Sequence, residues 1–111
     1  ESATKASRTM IRQLEEDQKR RSKRALTDAI DRALIDLLAI YRDVLMVQVG
    51  GDGELINTDL SDLVHEIAQD STPRQTLARV DHIETARKRL VSNGNPLLVL
   101  EDMAISLRPQ A

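Results

Sequence analysis

The sequence predicts an all-α fold, a helical bundle of about four helices with a long first helix. Three observations carry this. No Gly or Pro interrupts the chain between Thr9 and Val49, and those are the residues that most often stop a helix. Apolar residues recur at spacings of three and four through most of the chain, the period of one helix face. The core must also be built almost without rings. Apolar residues are 41% of the 111, but Tyr41 is the sole aromatic, and Leu, Ala and Met are good helix formers. No segment alternates with period two, so no strand is expected.

The first helix carries its stripe at Leu26, Ile30, Leu34, Leu37, Tyr41, Val44 and Leu45. Ile35, Leu38 and Ala39 widen that stripe, which predicts burial on more than one side. Upstream, EEDQKRRSKR (15–24) contains no apolar residue. It is still expected to be helical. Glu15–Lys19, Glu16–Arg20 and Asp17–Arg21 are three consecutive i,i+4 pairs with the acid first, each worth about 0.2–0.5 kcal/mol. The helix then reaches back to an apolar patch at Met10, Ile11 and Leu14. A long helix with a bare middle is expected to bridge two bodies.

GGDGELINTD (50–59) reads as a loop. Gly50, Gly51 and Gly53 stop the first helix, and Asn57, Thr58 and Asp59 offer N-caps for a second. That helix runs to about Gln69, with Leu60, Leu63, Val64 and Ile67 on one face. Thr72-Pro73-Arg74-Gln75 fits a capping box with proline at the first helical position. The third helix it opens carries Leu77, Val80, Ile83, Ala86 and Leu90, with Glu84–Lys88 as another i,i+4 pair. Gly94 suits the position just past its end.

NGNPLLVLEDM (93–103) opens the fourth helix, with Asn95 as cap, Pro96 first, and Pro109 as the stop. Leu97, Leu98, Leu100, Met103, Ala104 and Leu107 leave it apolar on most sides except at Glu101 and Asp102. Such a helix is central to a bundle or shared with a partner. Val99, Met103 and Ile105 are therefore candidate interface residues, with Ile105 expected to point outward. The short turn before Pro96 makes helices three and four antiparallel neighbours.

Length suits one small domain. Net charge is −2, unevenly spread: residues 1–24 hold eight Lys/Arg and four Asp/Glu, the remainder eight and fourteen. The chain divides into a basic helical linker arm (1–24) and an acidic helical body (25–111). It begins with Glu1 and reads as part of something longer. No apolar run has membrane-spanning length, and a cytosolic location is expected. The absence of cysteine excludes disulfides and thiolate metal sites.

There is no GxxxxGK[ST] or GxGxxG phosphate loop. Gly50–Gly53 is explained as a helix stop. His65 and His82 stand on different helices without an i,i+4 partner, and surface positions explain both. Asp59, Asp62 and Glu66 are accounted for as acids early in a helix. KRRSKR (19–24) lacks interleaved aromatics and is partly neutralised by the acids at 15–17, so it reads as a solvated face rather than a phosphate contact. No cofactor, metal or catalytic group is expected.

ARKRLVSNGNPLLVLEDMAISL (86–107) resembles the closing segment of the C-terminal domains of bacterial clamp-loader subunits of DNA polymerase III. The residues that carry the resemblance are Leu90, Asn93, Asn95, Pro96, Leu98, Leu100 and Glu101. DAIDRALIDLLAIYRDVLM (28–46) and LINTD (55–59) bring it nearest to the delta-prime branch, and it extends over nearly the whole chain from Leu14. Gly94 departs from the family, which often has a longer side chain there. The resemblance implies a helical collar that follows an AAA+ module and packs with sister domains in a heteropentamer that loads the sliding clamp. It implies delta and gamma/tau subunits as partners, DNA only through the whole complex, and no catalysis in this segment. A homodimerisation module built on the first helix is the alternative that the residues alone leave open.

Overall fold

Helix α1 runs unbroken from Ser2 to Gln48, 47 residues. At 1.5 Å per residue that is roughly 70 Å, nearly the full 74 Å long dimension of the molecule, which is 29 × 19 Å across. The computed structural model describes residues 2–51, 53–92 and 95–108. After α1 come a 3₁₀ turn at Thr58–Leu60, α2 at Ser61–Asp70, α3 at Pro73–Val91 and α4 at Pro96–Ser106. The fold is all-α, with no strand among the described residues.

The two halves of α1 live in different surroundings. From Ser2 to Leu26 every residue except Asp17 is exposed, and Ile30 is the first to be buried. Leu26, placed on the buried stripe by spacing, is exposed. The solvated segment 15–24 is helical as expected, but the pairing differs from i,i+4. Arg20 meets Asp17 at i,i+3, and no other ion pair forms there among the described residues.

Ile30 and Leu34 of α1 form the core with Ile83, Ala86 and Leu90 of α3 and Val99 and Met103 of α4. Leu37, Leu38, Tyr41, Leu100 and Leu107 pack around this cluster. Fully burying one such side chain is worth about 1.5–3 kcal/mol. This seam, more than helix propensity, holds the bundle. Helix α2 packs on α1 as well, where Val44 and Val64 are fully buried.

Helix α1 ends in a glycine turn. Gly50 has φ +70°, a left-handed conformation that costs a glycine little. The Gly51 N–H donates to Met46 O at 3.0 Å and the Gly50 N–H to Val47 O at 3.2 Å, the bond pair of a Schellman motif. The capping expected at Asn57, Thr58 and Asp59 does not occur. Neither the 3₁₀ turn nor α2 has a side-chain cap: the Asn57 amide is turned towards Asp43 on α1, and α2 follows Leu60, whose side chain has no acceptor.

The capping box of α3 is complete. The Gln75 N–H donates to Thr72 Oγ1, and the Thr72 N–H donates to Gln75 Oε1. The buried face of α3 uses Thr76 rather than Leu77, which is exposed. Glu84 and Lys88 form no ion pair; Arg87 is engaged instead, across to Asp31 on α1. The start of α3 (Gln75, Ala78, Arg79) lies beside the end of α4 (Ser106, Arg108), so the two are antiparallel neighbours. The expectations for Gly94 and Pro109 lie outside the described residues.

Candidate interaction surface

The orientation of α4 is set at its first turn. Asn95 Oδ1 accepts from the N–H of Leu97 (3.1 Å) and of Leu98 (3.3 Å). Pro96 follows, with no N–H to satisfy and a φ already helical. Its ring is buried, and so are Val99 and Met103, one and two turns on. Val99 and Met103, with the half-buried Leu100 and Leu107, pack in the core shared with α1 and α3.

Val99 and Met103 were expected at an interface between subunits. They lie in the core instead, with only 6% and 7% of their surface exposed. The physical reason is the 3.6-residue period: Pro96, Val99 and Met103 share one side of the helix, and two neighbouring helices cover that side. Ile105 is different, with 59% of its surface exposed. Seven residues is nearly two full turns, so Leu98 stands directly in line with it, and Leu98 is also more than half exposed. Leu98 and Ile105 thus occupy the face opposite the buried stripe. Glu101 lies between them and Leu97 widens the patch, both exposed.

The residues that carried the family resemblance therefore have different fates. Leu90 is buried in the core, Asn95 caps α4 and Pro96 is buried beneath it. Leu100 packs partly against the core, whereas Leu98 and Glu101 face outward. Asn93 lies outside the described residues. Asp102 has Arg89 at 3.7 Å, a loose exposed pair of little energetic weight.

Polar residues that the sequence did not single out tie the other elements of the bundle together. Asp31 receives Arg87 Nε at 2.9 Å, which fixes α3 against α1 where the bundle meets the arm. At the opposite end, Gln48 Nε2 donates to Ser71 O at 2.9 Å and Gln48 Oε1 accepts the Thr76 hydroxyl at 2.7 Å. The buried Asp43 accepts from the N–H of Ile56 and of Asn57, both at 2.8 Å, and from the Asn57 amide. Burial opposes its charge, but these donors and nearby Arg42 outweigh that and hold its carboxyl below the usual range. Each is a single polar residue on a helix, and only the fold reveals its partner.

The basic segment 19–24 is exposed throughout. Arg20, Lys23 and Arg24 line a shallow groove against Leu90 and Val91, but Asp28 and Asp31 share it, so it is not a purely cationic site. His65 and His82 are exposed, and His65 Nδ1 lies 2.7 Å from the Ser61 carbonyl. No group of three His, Asp or Glu suited to a metal forms among the described residues. Among the described residues no helix is long and apolar enough to cross a membrane. The surface instead carries an exposed apolar ridge on α4, made by Leu97, Leu98 and Ile105.

Residues 4–108 match the family described as DNA polymerase III, delta subunit, C terminal. The chain is also 36% identical over 72 residues to DNA polymerase III subunit delta' of Bacillus subtilis (strain 168). That alignment covers 65% of this chain and 22% of the relative, so the chain spans about a fifth of that protein's length. No solved structure matches.

Proposed function

Because the chain belongs to the family formed by the C-terminal domains of DNA polymerase III delta subunits, we propose that it is a delta-prime collar domain. In this reading it joins its parent subunit to the delta and gamma/tau subunits of a clamp loader, and it performs no catalytic step itself. The observation that carries the reading is the outward face of α4. Leu97, Leu98 and Ile105 are exposed together on a helix whose other side is fully used by the core. Contiguous exposed apolar surface of this kind marks interaction sites. A ring of different subunits makes heterologous contacts, so the face need not pair with itself.

The test is gel filtration of the full-length subunit with its partner subunits. Ile105→Asp should weaken assembly, because a carboxylate desolvated at an apolar interface costs several-fold to many-fold in affinity. The isolated domain carrying the same change should keep its helical circular dichroism. If deletion of residues 25–111 leaves the complex intact, the domain has no assembly role.

A further inference from the structure

The start of α3 and the end of α4 meet around a small pocket of about 90 Å³. Gln75, Ala78, Arg79 and His82 line it from α3, where spacings of three and four put them on one face. Ser106 and Arg108 close it from the end of α4. Among the described residues no carboxylate lines it. That sets it apart in this chain, because residues 25–111 hold fourteen acids against eight bases.

Four of its side chains can donate into it. The Gln75 amide is fixed by the capping box: its Oε1 accepts the Thr72 N–H, which leaves the NH2 end to donate elsewhere. The Arg79 guanidinium lies 5.9 Å from the centre of the Tyr41 ring, a contact that restricts where it can swing. Arg79 also borders a second groove that holds Glu66 and Asp70, yet neither comes within 4.0 Å of it. Arg108 has no carboxylate within 4.0 Å among the described residues either. His82 is exposed and donates from one ring nitrogen when neutral and from both when charged. The Ser106 hydroxyl is turned back to Asp102 O at 3.0 Å and serves only as wall.

Two guanidinia on one small pocket repel each other unless an anion joins them. Their planar forks match the oxygens of a phosphate. Volume decides how much of a ligand enters. This pocket is well below the roughly 300 Å³ at which sites for whole small molecules begin, so it suits one phosphate group rather than the molecule that bears it.

We propose that this pocket binds a single phosphate group, held between Arg79 and Arg108 with Gln75 and His82 as further donors. The group is either a free phosphate ion or the terminal phosphate of a nucleic-acid strand, since the same donors recognise both. The site does not depend on the assembly role proposed above, because none of Leu97, Leu98 and Ile105 lines it.

The experiment follows the amide and arginine side-chain NMR signals of the 111-residue chain, which carries its whole core within itself. Sodium phosphate replaces sodium chloride at constant ionic strength. Saturable shifts should be confined to residues 75–82 and 106–108. Arg79→Gln and Arg108→Gln should each weaken binding about tenfold or more, as expected when a charged donor is lost. Arg74→Gln removes an exposed charge from α3 outside the pocket and should change binding by less than about twofold. Arg79 rests on Tyr41, so circular dichroism checks that variant; Arg108 is exposed beyond the end of α4, and its variant carries the test if Arg79→Gln fails to fold. A second arm adds a single-stranded oligonucleotide with and without a 5′-phosphate. If the phosphorylated strand shifts the same signals and binds more tightly than the ion, a strand end is the source; otherwise it is the free ion, and either result supports the site. The proposal is overturned if neither phosphate nor strand gives a saturable shift, if the shifts spread along the basic arm, or if Arg74→Gln loses as much binding as Arg108→Gln.

Discussion

Gln48 and Thr76 are joined by a 2.7 Å hydrogen bond between the last residue of α1 and a fully buried hydroxyl in the first turn of α3. The same Gln48 amide donates to Ser71 at the end of α2. One side chain thus ties three helix ends together. Thr76→Val keeps the shape and removes the donor, leaving Gln48 Oε1 unmatched. Equilibrium urea unfolding should show a loss of about 1–2 kcal/mol. Gln48→Leu should cost more, about 2–3 kcal/mol, because several groups lose their partner at once.

Asp43 gives the fold a sensitivity to acid. Its carboxyl sits below the usual range in the folded state, because the donors from Ile56 and Asn57 and the charge of Arg42 outweigh the cost of its burial. The stability it contributes is therefore fully present above the unfolded value of about 3.9 and is lost as pH falls through its lower folded value. Asp43→Asn should be less stable at pH 7 by about 2–3 kcal/mol, since a charged acceptor of three bonds is replaced by a neutral amide. Thermal melts between pH 7 and 2.5 should also show a shallower acid dependence for the variant than for the parent.

Core and surface on α4 should separate cleanly. Met103→Ala should cost about 2–5 kcal/mol, the usual range for a large side chain removed from a packed core. Val99→Asp should unfold the domain. Ile105→Asp should change stability by no more than about 0.5 kcal/mol. Denaturant titration of the three variants checks the assignment, and a large loss from Ile105→Asp would place that residue inside.

Protection against hydrogen exchange should be graded along α1. Residues 2–24 bury almost nothing, and an unpacked helix is marginal even when ion pairs assist it. Exchange should be fast there and slow over 28–46 and 77–90. Equal protection along all of α1 would mean that the arm has a packing partner in solution.

The helices were legible because their signals are local. The Thr72–Gln75 capping box, the Asn95-Pro96 start and the glycine stop at Gly50 each act within a few residues, and each forms as the sequence predicts. What the sequence hid is set by which helix lies beside which. Met103 and Ile105 are both apolar residues on an over-apolar helix, and only the position of α1 and α3 makes one core and the other surface. Leu77, expected on the buried face, is exposed, and Thr76 is buried beside it with Gln48 opposite. Asp31 and Arg87 lie far apart in sequence, so their pairing has no local signature. The i,i+4 pairs at 15–21 were legible as helix formers but not as contacts, because exposed side chains choose among several partners of similar energy.

The unbroken length of α1 makes the arm a lever. Neither Gly nor Pro lies between Ser2 and Gln48, so no residue in it is built to act as a hinge. Met10 stands about 30 Å along the axis from Ile30, where burial begins. A tilt of roughly 10° at the buried end would sweep Met10 through about 5 Å, more than the width of a methyl group. The reverse also holds. Whatever grips the helix near Met10, Ile11 and Leu14 sets the angle at which the bundle, with its ridge on α4, meets its surroundings.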